Sequence, residues 1–228
     1  MLKKHYCFSG QQPMHSTSQP STLFVGIAPD VSRVRLARLL AVIRAHDPHI
    51  RLRIHQAPPE KLFDELEAGQ CDLAFAPAPA PAQRPTLESN RLWREELALA
   101  HPLRSRLLAY STIPSESLQK YSMIQWCPTE HRALHRHVAT LVGRSAITTY
   151  TVVSFEMMIA LVAAGLGIGI AQRSQLDHVC AWPVEVRSLS GQGHCLDTEL
   201  FWRRGQRPQF HERLLAAAAL PDLMAKRS

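Results

Sequence analysis

The chain has 228 residues and carries 26 Lys+Arg against 19 Asp+Glu, a net charge of +7 with its 12 histidines neutral; 46% of it is hydrophobic and 20% charged. That is enough chain to bury a proper core, and the balance excludes a disordered polyelectrolyte. A pI near 9.5 invites a nucleic-acid reading, but the excess sits at the ends: +2 in residues 1–21, 0 in 22–98, +1 in 99–200 and +4 in 201–228. A nearly neutral body is a poor phosphate binder.

Residues 1–21 are polar and rich in Gln, Ser and Pro and read as a disordered tail. Thr22 to Ile27 is a short buried strand, and Asp30 can cap a helix over Val31 to His46 with Val34, Leu39, Leu40 and Ile43 on its stripe. Ile50 to Gln56 alternates, with Ile50, Leu52 and Ile54 on one face. Pro58-Pro59-Glu60 opens a second helix on Leu62, Phe63 and Leu66, ending at Gly69, and Asp72 to Ala76 is a third strand. This strand–helix alternation predicts an α/β fold with a parallel sheet. Ala76 to Pro85 is a stiff Pro/Ala connection, and Trp93 to Ala100 a strand.

The cycle then restarts. Tyr121 to Trp126 is a strand; Thr129 caps a helix carrying Leu134, Val138, Leu141 and Val142, closed by Gly143. Ile147 to Val153 is a strand, Phe155 to Ala164 an apolar helix, Leu166 to Ala171 a buried strand, Thr198 to Trp202 a late strand and His211 to Leu220 a final helix. Two α/β units with a returning strand predict two subdomains, the chain passing between them near 98–101 and 200–203. The longest apolar run, Met157 to Ala171, has 15 residues with three glycines, too short for a bilayer. No apolar stretch follows Lys3 and Lys4, so no signal peptide is visible and a cytoplasmic location is expected. The five cysteines are widely spaced with no CxxC pair, against a zinc ribbon or a disulfide framework.

Several segments resemble the effector-binding domain of LysR-type transcriptional regulators. They are the Leu23–Asp30 strand-to-helix turn and Leu62-x3-Leu66-x2-Gly69-x2-Asp72-Leu73-Ala74-Phe75. Then come Glu96-Leu97-Ala98-Leu99-Ala100-His101-Pro102-Leu103, Leu161-Val162-Ala163-Ala164-Gly165-Leu166-Gly167-Ile168-Gly169-Ile170, and Phe201-Trp202-Arg203-Arg204. Together they span roughly residues 22–220. The resemblance implies a type II periplasmic-binding-protein-like fold: two Rossmann-like lobes joined by a two-segment hinge, with a ligand cleft between them. Lobe I would be 22–98 plus 202–225, and lobe II 99–201. Such regulators carry an N-terminal winged helix-turn-helix of about sixty residues and a linker helix; only twenty-one residues precede the first strand here, so the sensor half without the reader half is expected.

In open parallel sheets ligands sit beyond the carboxyl ends of the strands, where helix N-termini point inward. The candidate ligand-binding residues are therefore Ala28, Pro29, Asp30, Val31 and Ser32 after the first strand, and Pro58 and Pro59 after the second, with Pro77 on the same rim. In the second lobe they are Trp126, Cys127, Pro128 and Thr129, with Arg132 one turn in, and Val152, Val153 and Ser154 before the Phe155 helix. The resemblance puts effector contacts at these same positions. Family members often offer Ser or Thr near the first turn to bind a carboxylate effector. Asp30 would repel an anion; it either caps its own helix or meets a cationic or donor-rich ligand. Pro59 and Pro77 remove donors from this rim, whereas Arg132 can pair with a carboxylate or stay solvated.

Cys127 sits at a predicted helix N-terminus, which lowers a thiol pKa; a peroxide sensor would need a resolving cysteine, and a small cleft-lining residue is the simpler reading. His131 and His135 are spaced to share a metal, but His137 points elsewhere on a helix, so a solvated histidine-rich face and no metal is expected. Gly165-x-Gly167-x-Gly169 follows a helix and enters a strand, the reverse of a dinucleotide fingerprint. No nucleophile-and-base set is visible, so no enzyme and no cofactor are expected. The resemblance implies small-molecule effector sensing in transcription regulation, with closure about the hinge passed to a partner, in a homodimer or a heterodimer with a full-length regulator. The alternatives are a solute-binding protein for uptake, which would need export, and direct DNA contact through Arg203, Arg204, Arg207, Arg213, Lys226 and Arg227, which is not expected at physiological salt. No membrane contact is expected.

Overall fold

The computed structural model describes residues 22–77, 84–143, 149–191 and 193–220. The predicted tail over 1–21, residues 78–83 of the Pro/Ala connection, Cys7, Lys226 and Arg227 lie outside them. Strand β1 (Thr22–Ile27) lies between two parallel neighbours, β2 (Arg51–Gln56) and β3 (Leu73–Pro77). Helix α1 (Arg33–His46) and helix α2 (Pro59–Glu67) make the crossovers. Gly69, at φ 70° just past α2, takes the left-handed position that ends the helix.

The chain then enters β4 (Leu87–Pro102), a strand of 16 residues and so about 50 Å long. After a short helix α3 (Ser115–Leu118) comes a second strand–helix–strand unit of β5 (Met123–Trp126), α4 (Arg132–Val142) and β6 (Thr149–Val152), with β5 and β6 parallel. Helix α5 (Phe155–Ala163) leads to β7 (Gly169–Gln172), α6 (Arg173–Leu176) and β8 (Val184–Ser188). Strand β9 (Cys195–Arg203) returns antiparallel to both β3 and β4, and α7 (His211–Ala219) follows it. The main sheet runs β2-β1-β3-β9-β4-β7, with β8 also on β4.

Two hydrophobic cores result. Core I holds Val25, Leu39, Ile43, Leu62, Leu66, Phe75, Leu200, Trp202 and Leu214. Core II holds Leu97, Leu99, Ile124, Trp126, Leu134, Val138, Met158, Val162 and Ile170. Strand β4 leaves core I after Trp93 and enters core II at Leu97; β9 leaves core II after Leu196 and enters core I at Leu200. The passage therefore falls a few residues before the expected 98–101 and 200–203. Gly167 lets the two halves of core II approach, since a Cβ there would run into the Ser122 carbonyl.

Two patterns differ from expectation. Val34 is exposed, and the buried stripe of α1 is Leu36, Leu39 and Ile43, because Val34 lies nine residues before Ile43 and so on the opposite face of the helix. Ile54 is 47% exposed on β2, an edge strand of the sheet. Among the described residues no helix is long and apolar enough to cross a membrane.

Candidate functional site

The turn after β1 is pinned to the sheet: Ala28 N donates to the Phe75 carbonyl at 2.8 Å, and Val31 N returns to Ala28 O at 3.1 Å. Ala28, Asp30, Val31 and Ser32 are buried and Pro29 half-buried. Asp30 does not cap α1. The N-cap position of α1 is Ser32, which makes no capping bond from its side chain; its hydroxyl instead bonds Ser174 Oγ of α6 at 3.0 Å. The Asp30 carboxylate reaches out of core I to the start of α4. His131 Nδ1 donates to its Oδ1 at 2.9 Å, and Ala133 N donates to its Oδ2 at 3.1 Å. The side chains of this pair are only 4% (His131) and 3% (Asp30) exposed. Gln172 of β7 donates its amide to the Asp30 carbonyl. A carboxylate needs acceptor-seeking partners at both oxygens when buried, and α4 supplies them.

On the other side, β5 ends at Trp126 and the chain turns sharply at Cys127, whose φ of 40° makes it the sole non-glycine in the left-handed region among the described residues. Cys127 N donates to Val152 O at 2.9 Å and its thiol to Val153 O at 2.7 Å, tying this turn to the end of β6. Helix α4 begins at Arg132, not after Thr129: Thr129 is exposed, Pro128 half-buried, and His131 takes the N-cap position. Cys127 is thus clear of the helix end, and its thiol pKa is raised, by burial and then by Glu130, where a lowered one was expected.

The histidines do not form a solvated face. His131 packs on the Trp126 ring at 3.8 Å between centroids, with Phe155 edge-on to Trp126 at 5.6 Å. His135 Nε2 donates to the Trp126 carbonyl at 3.0 Å, and His137 meets His194 edge to face at 5.8 Å. His131 is buried, and His135 and His137 are half-buried. Among the described residues no three His, Cys, Asp or Glu side chains converge as a metal donor set.

The remaining candidates form a rim. Pro58 is exposed before α2, whose first residue is Pro59, where the missing N–H falls on an unpaired position. Pro77 ends β3, buried opposite Thr198. Val152 is half-buried and Val153 86% exposed, while the Ser154 hydroxyl accepts from Met157 N at 3.2 Å and caps α5. Arg132, largely exposed, faces Glu60 of α2 at 3.9 Å. The structure thus joins Asp30 to the start of α4, Cys127 to Val152 and Val153, and Arg132 to α2. The sequence reading missed Gln172, Ser174 and Glu95; the only signal was their place directly after a buried strand or inside one.

The sequence matches the family profile described as LysR substrate binding domain over residues 16–222. The fold is similar to the reduced form of the OxyR regulatory domain from Pseudomonas aeruginosa, at TM-score 0.74 and 23% identity over 88% of this chain and 98% of that one. It is also similar to the BenM effector-binding domain with its effector benzoate, at TM-score 0.73 and 16% identity over 87% and 90% of the two chains. Full-length BenM matches at TM-score 0.75 and 16% identity, over 88% of this chain and 67% of that one. No curated protein matches the sequence significantly. A profile match across nearly all of the described residues, on a two-core α/β fold crossed by β4 and β9, means that this chain belongs to the family of LysR substrate-binding domains, the effector-sensing part of transcriptional regulators.

Proposed function

We propose that this chain senses a small-molecule effector in transcription regulation, the effector entering between the two cores. The observation that carries the reading is the family match over residues 16–222 in a chain whose two cores meet through polar contacts at the strand ends. Asp30 forms the floor of the site with His131; Pro58, Pro128, Thr129, Arg132, Val153 and Ser154 form its accessible rim. Cores I and II act as lobes I and II, and effector-driven rotation about β4 and β9 is passed to a partner, a second copy of the chain or a full-length regulator. The site acts in the cytoplasm, does no chemistry on its ligand and needs no cofactor. Among the described residues of the arginine-rich end, Arg203 donates to Gln206 Oε1, at 2.7 Å from Nη2, and Arg204 and Arg207 face Glu88 and Glu212 at 3.8 and 3.7 Å, which favours a reading without DNA contact.

The test is a thermal-shift screen of small metabolites followed by calorimetry on hits, since a ligand of the folded state raises its melting temperature. Binding that is lost in Thr129→Trp and Arg132→Ala supports the site. Hits that bind those two variants unchanged overturn it.

A further inference from the structure

The first N–H groups of a helix have no partner inside it, and its positive end attracts anions. At α4 that position is already filled. Asp30, arriving from core I, accepts from Ala133 N at 3.1 Å and from His131 Nδ1 at 2.9 Å. Its backbone carbonyl is held by Gln172, so the carboxylate is delivered by a fixed turn and not by a mobile arm. The donors beside it are engaged as well. Ser32 spends its hydroxyl on Ser174 at 3.0 Å, and Arg132 at the first residue of α4 faces the Glu60 carboxylate at 3.9 Å. An external carboxylate or phosphate entering here would meet two acidic side chains, Asp30 and Glu60, and would have to displace Asp30 from Ala133 N. A tethered carboxylate also outcompetes a free one, because its ordering has been met in folding.

We infer that Asp30 is a specificity-determining residue: its carboxylate is an internal anion at the start of α4, and the effector of this site is neutral or cationic at the end that faces it. The inference rests on the interlobe site proposed above, but its test does not require the effector to be known.

Removing the carboxylate leaves a formate-sized vacancy lined by Ala133 N and His131 Nδ1. Melting temperatures of the wild-type chain, Asp30→Ala and the isosteric Asp30→Asn are measured in 100 mM sodium formate and in 100 mM sodium chloride, with Asp30→Gly in acetate as the matched second pair. Formate is expected to raise Asp30→Ala by about 3 °C over chloride, given a dissociation constant of about 25 mM, and to leave wild type and Asp30→Asn unmoved. If Asp30→Ala or Asp30→Gly unfolds in chloride, its matched carboxylate restores a cooperative transition. The inference is overturned if neither variant responds to its carboxylate, or if wild type responds as strongly as they do. A positive formate result together with hits that bind Thr129→Trp and Arg132→Ala unchanged would overturn the interlobe site and leave Asp30 as the internal anion at the start of α4.

Discussion

Ser32 and Ser174 share a hydrogen bond of 3.0 Å across the junction of the two cores, although 142 positions separate them in the chain. The contact is one step in a closed circuit. Ser174 N donates to Glu95 Oε1 at 3.1 Å, and Arg35 of α1 pairs with Glu95 Oε2 at 3.2 Å. Arg35 also lies over the Trp93 ring, at 5.9 Å. Glu95 itself sits where β4 passes from core I to core II. The polar circuit therefore lies on the segment about which the lobes would rotate, and any rotation has to break or carry it.

Glu95 is 3% exposed and holds both a guanidinium and a backbone N–H. Glu95→Ala leaves the guanidinium partly buried without its carboxylate and should cost about 3 kcal/mol. The neighbouring Glu96 is exposed, and Glu96→Ala should stay within about 0.5 kcal/mol. Urea unfolding of the two variants measures the contrast; equal losses would remove Glu95 from the circuit.

Asp30→Asn keeps the shape but gives an amide where His131 Nδ1 donates, so a charge-assisted bond is lost and one amide hydrogen faces a donor. A loss of about 2 kcal/mol is expected. Arg132→Ala removes an exposed pair at 3.9 Å and should cost no more than about 0.5 kcal/mol. If the two losses come out alike, the Asp30 contact is not stronger than an ordinary surface pair.

The order of the longer strands and helices was legible because each carries a strong periodic stripe or ends on a marked turn, as α2 does on Leu62, Phe63, Leu66 and Gly69. Strand β8 was not: Val184-Glu185-Val186-Arg187-Ser188 alternates over only five residues, and α3 and α6 have only four residues each. The site was half legible. The loops at the strand ends follow from topology, but the partners of Asp30 do not. His131 lies 101 positions away and Gln172 142, and no local pattern marks which acid a distant histidine will meet. A short acid in a strand-end turn reads as a cap until the second core is folded against it.

Burial lowers the pKa of His101, His135 and His137 below the ordinary 6.5, with the charge of His194 adding to the effect at His137. In the unfolded chain these groups take protons near pH 6.5, while in the fold they do so only at lower pH. The unfolded state thus binds more protons in that interval, and stability falls as the pH drops. Urea midpoints should be flat from pH 8 to about 7.5 and decline steadily toward pH 5. Asp197, held low by its bond from Arg94, contributes stability above its ordinary 3.8 that is lost only as the pH falls below that value, and so does not vary across this window. His137→Gln should flatten the decline; a midpoint that rises toward pH 5 would contradict the burial argument.

Thiol labelling gives the last contrast. Cys71 is 3% exposed, donates to Leu73 O at 3.0 Å, and is pushed up by burial to about 11. Cys127 and Cys195 are raised as well, each chiefly by burial, whereas Cys180 is exposed. The thiolate is the reactive form, so a raised pKa and a buried sulfur both slow alkylation. With iodoacetamide at pH 7.5 and peptide mapping, Cys180 should label first among these four, Cys127 and Cys195 more slowly, and Cys71 only on unfolding. A peroxide-sensing cysteine at the turn after β5 would instead make Cys127 the fastest. Its thiol bond to Val153 O at 2.7 Å is a further brake, because that hydrogen must be given up before the sulfur can attack. Val153→Pro would leave that carbonyl in place, so the brake is better tested by urea: Cys127 labelling should accelerate before global unfolding if the β5 and β6 ends separate early, and together with Cys71 if they do not.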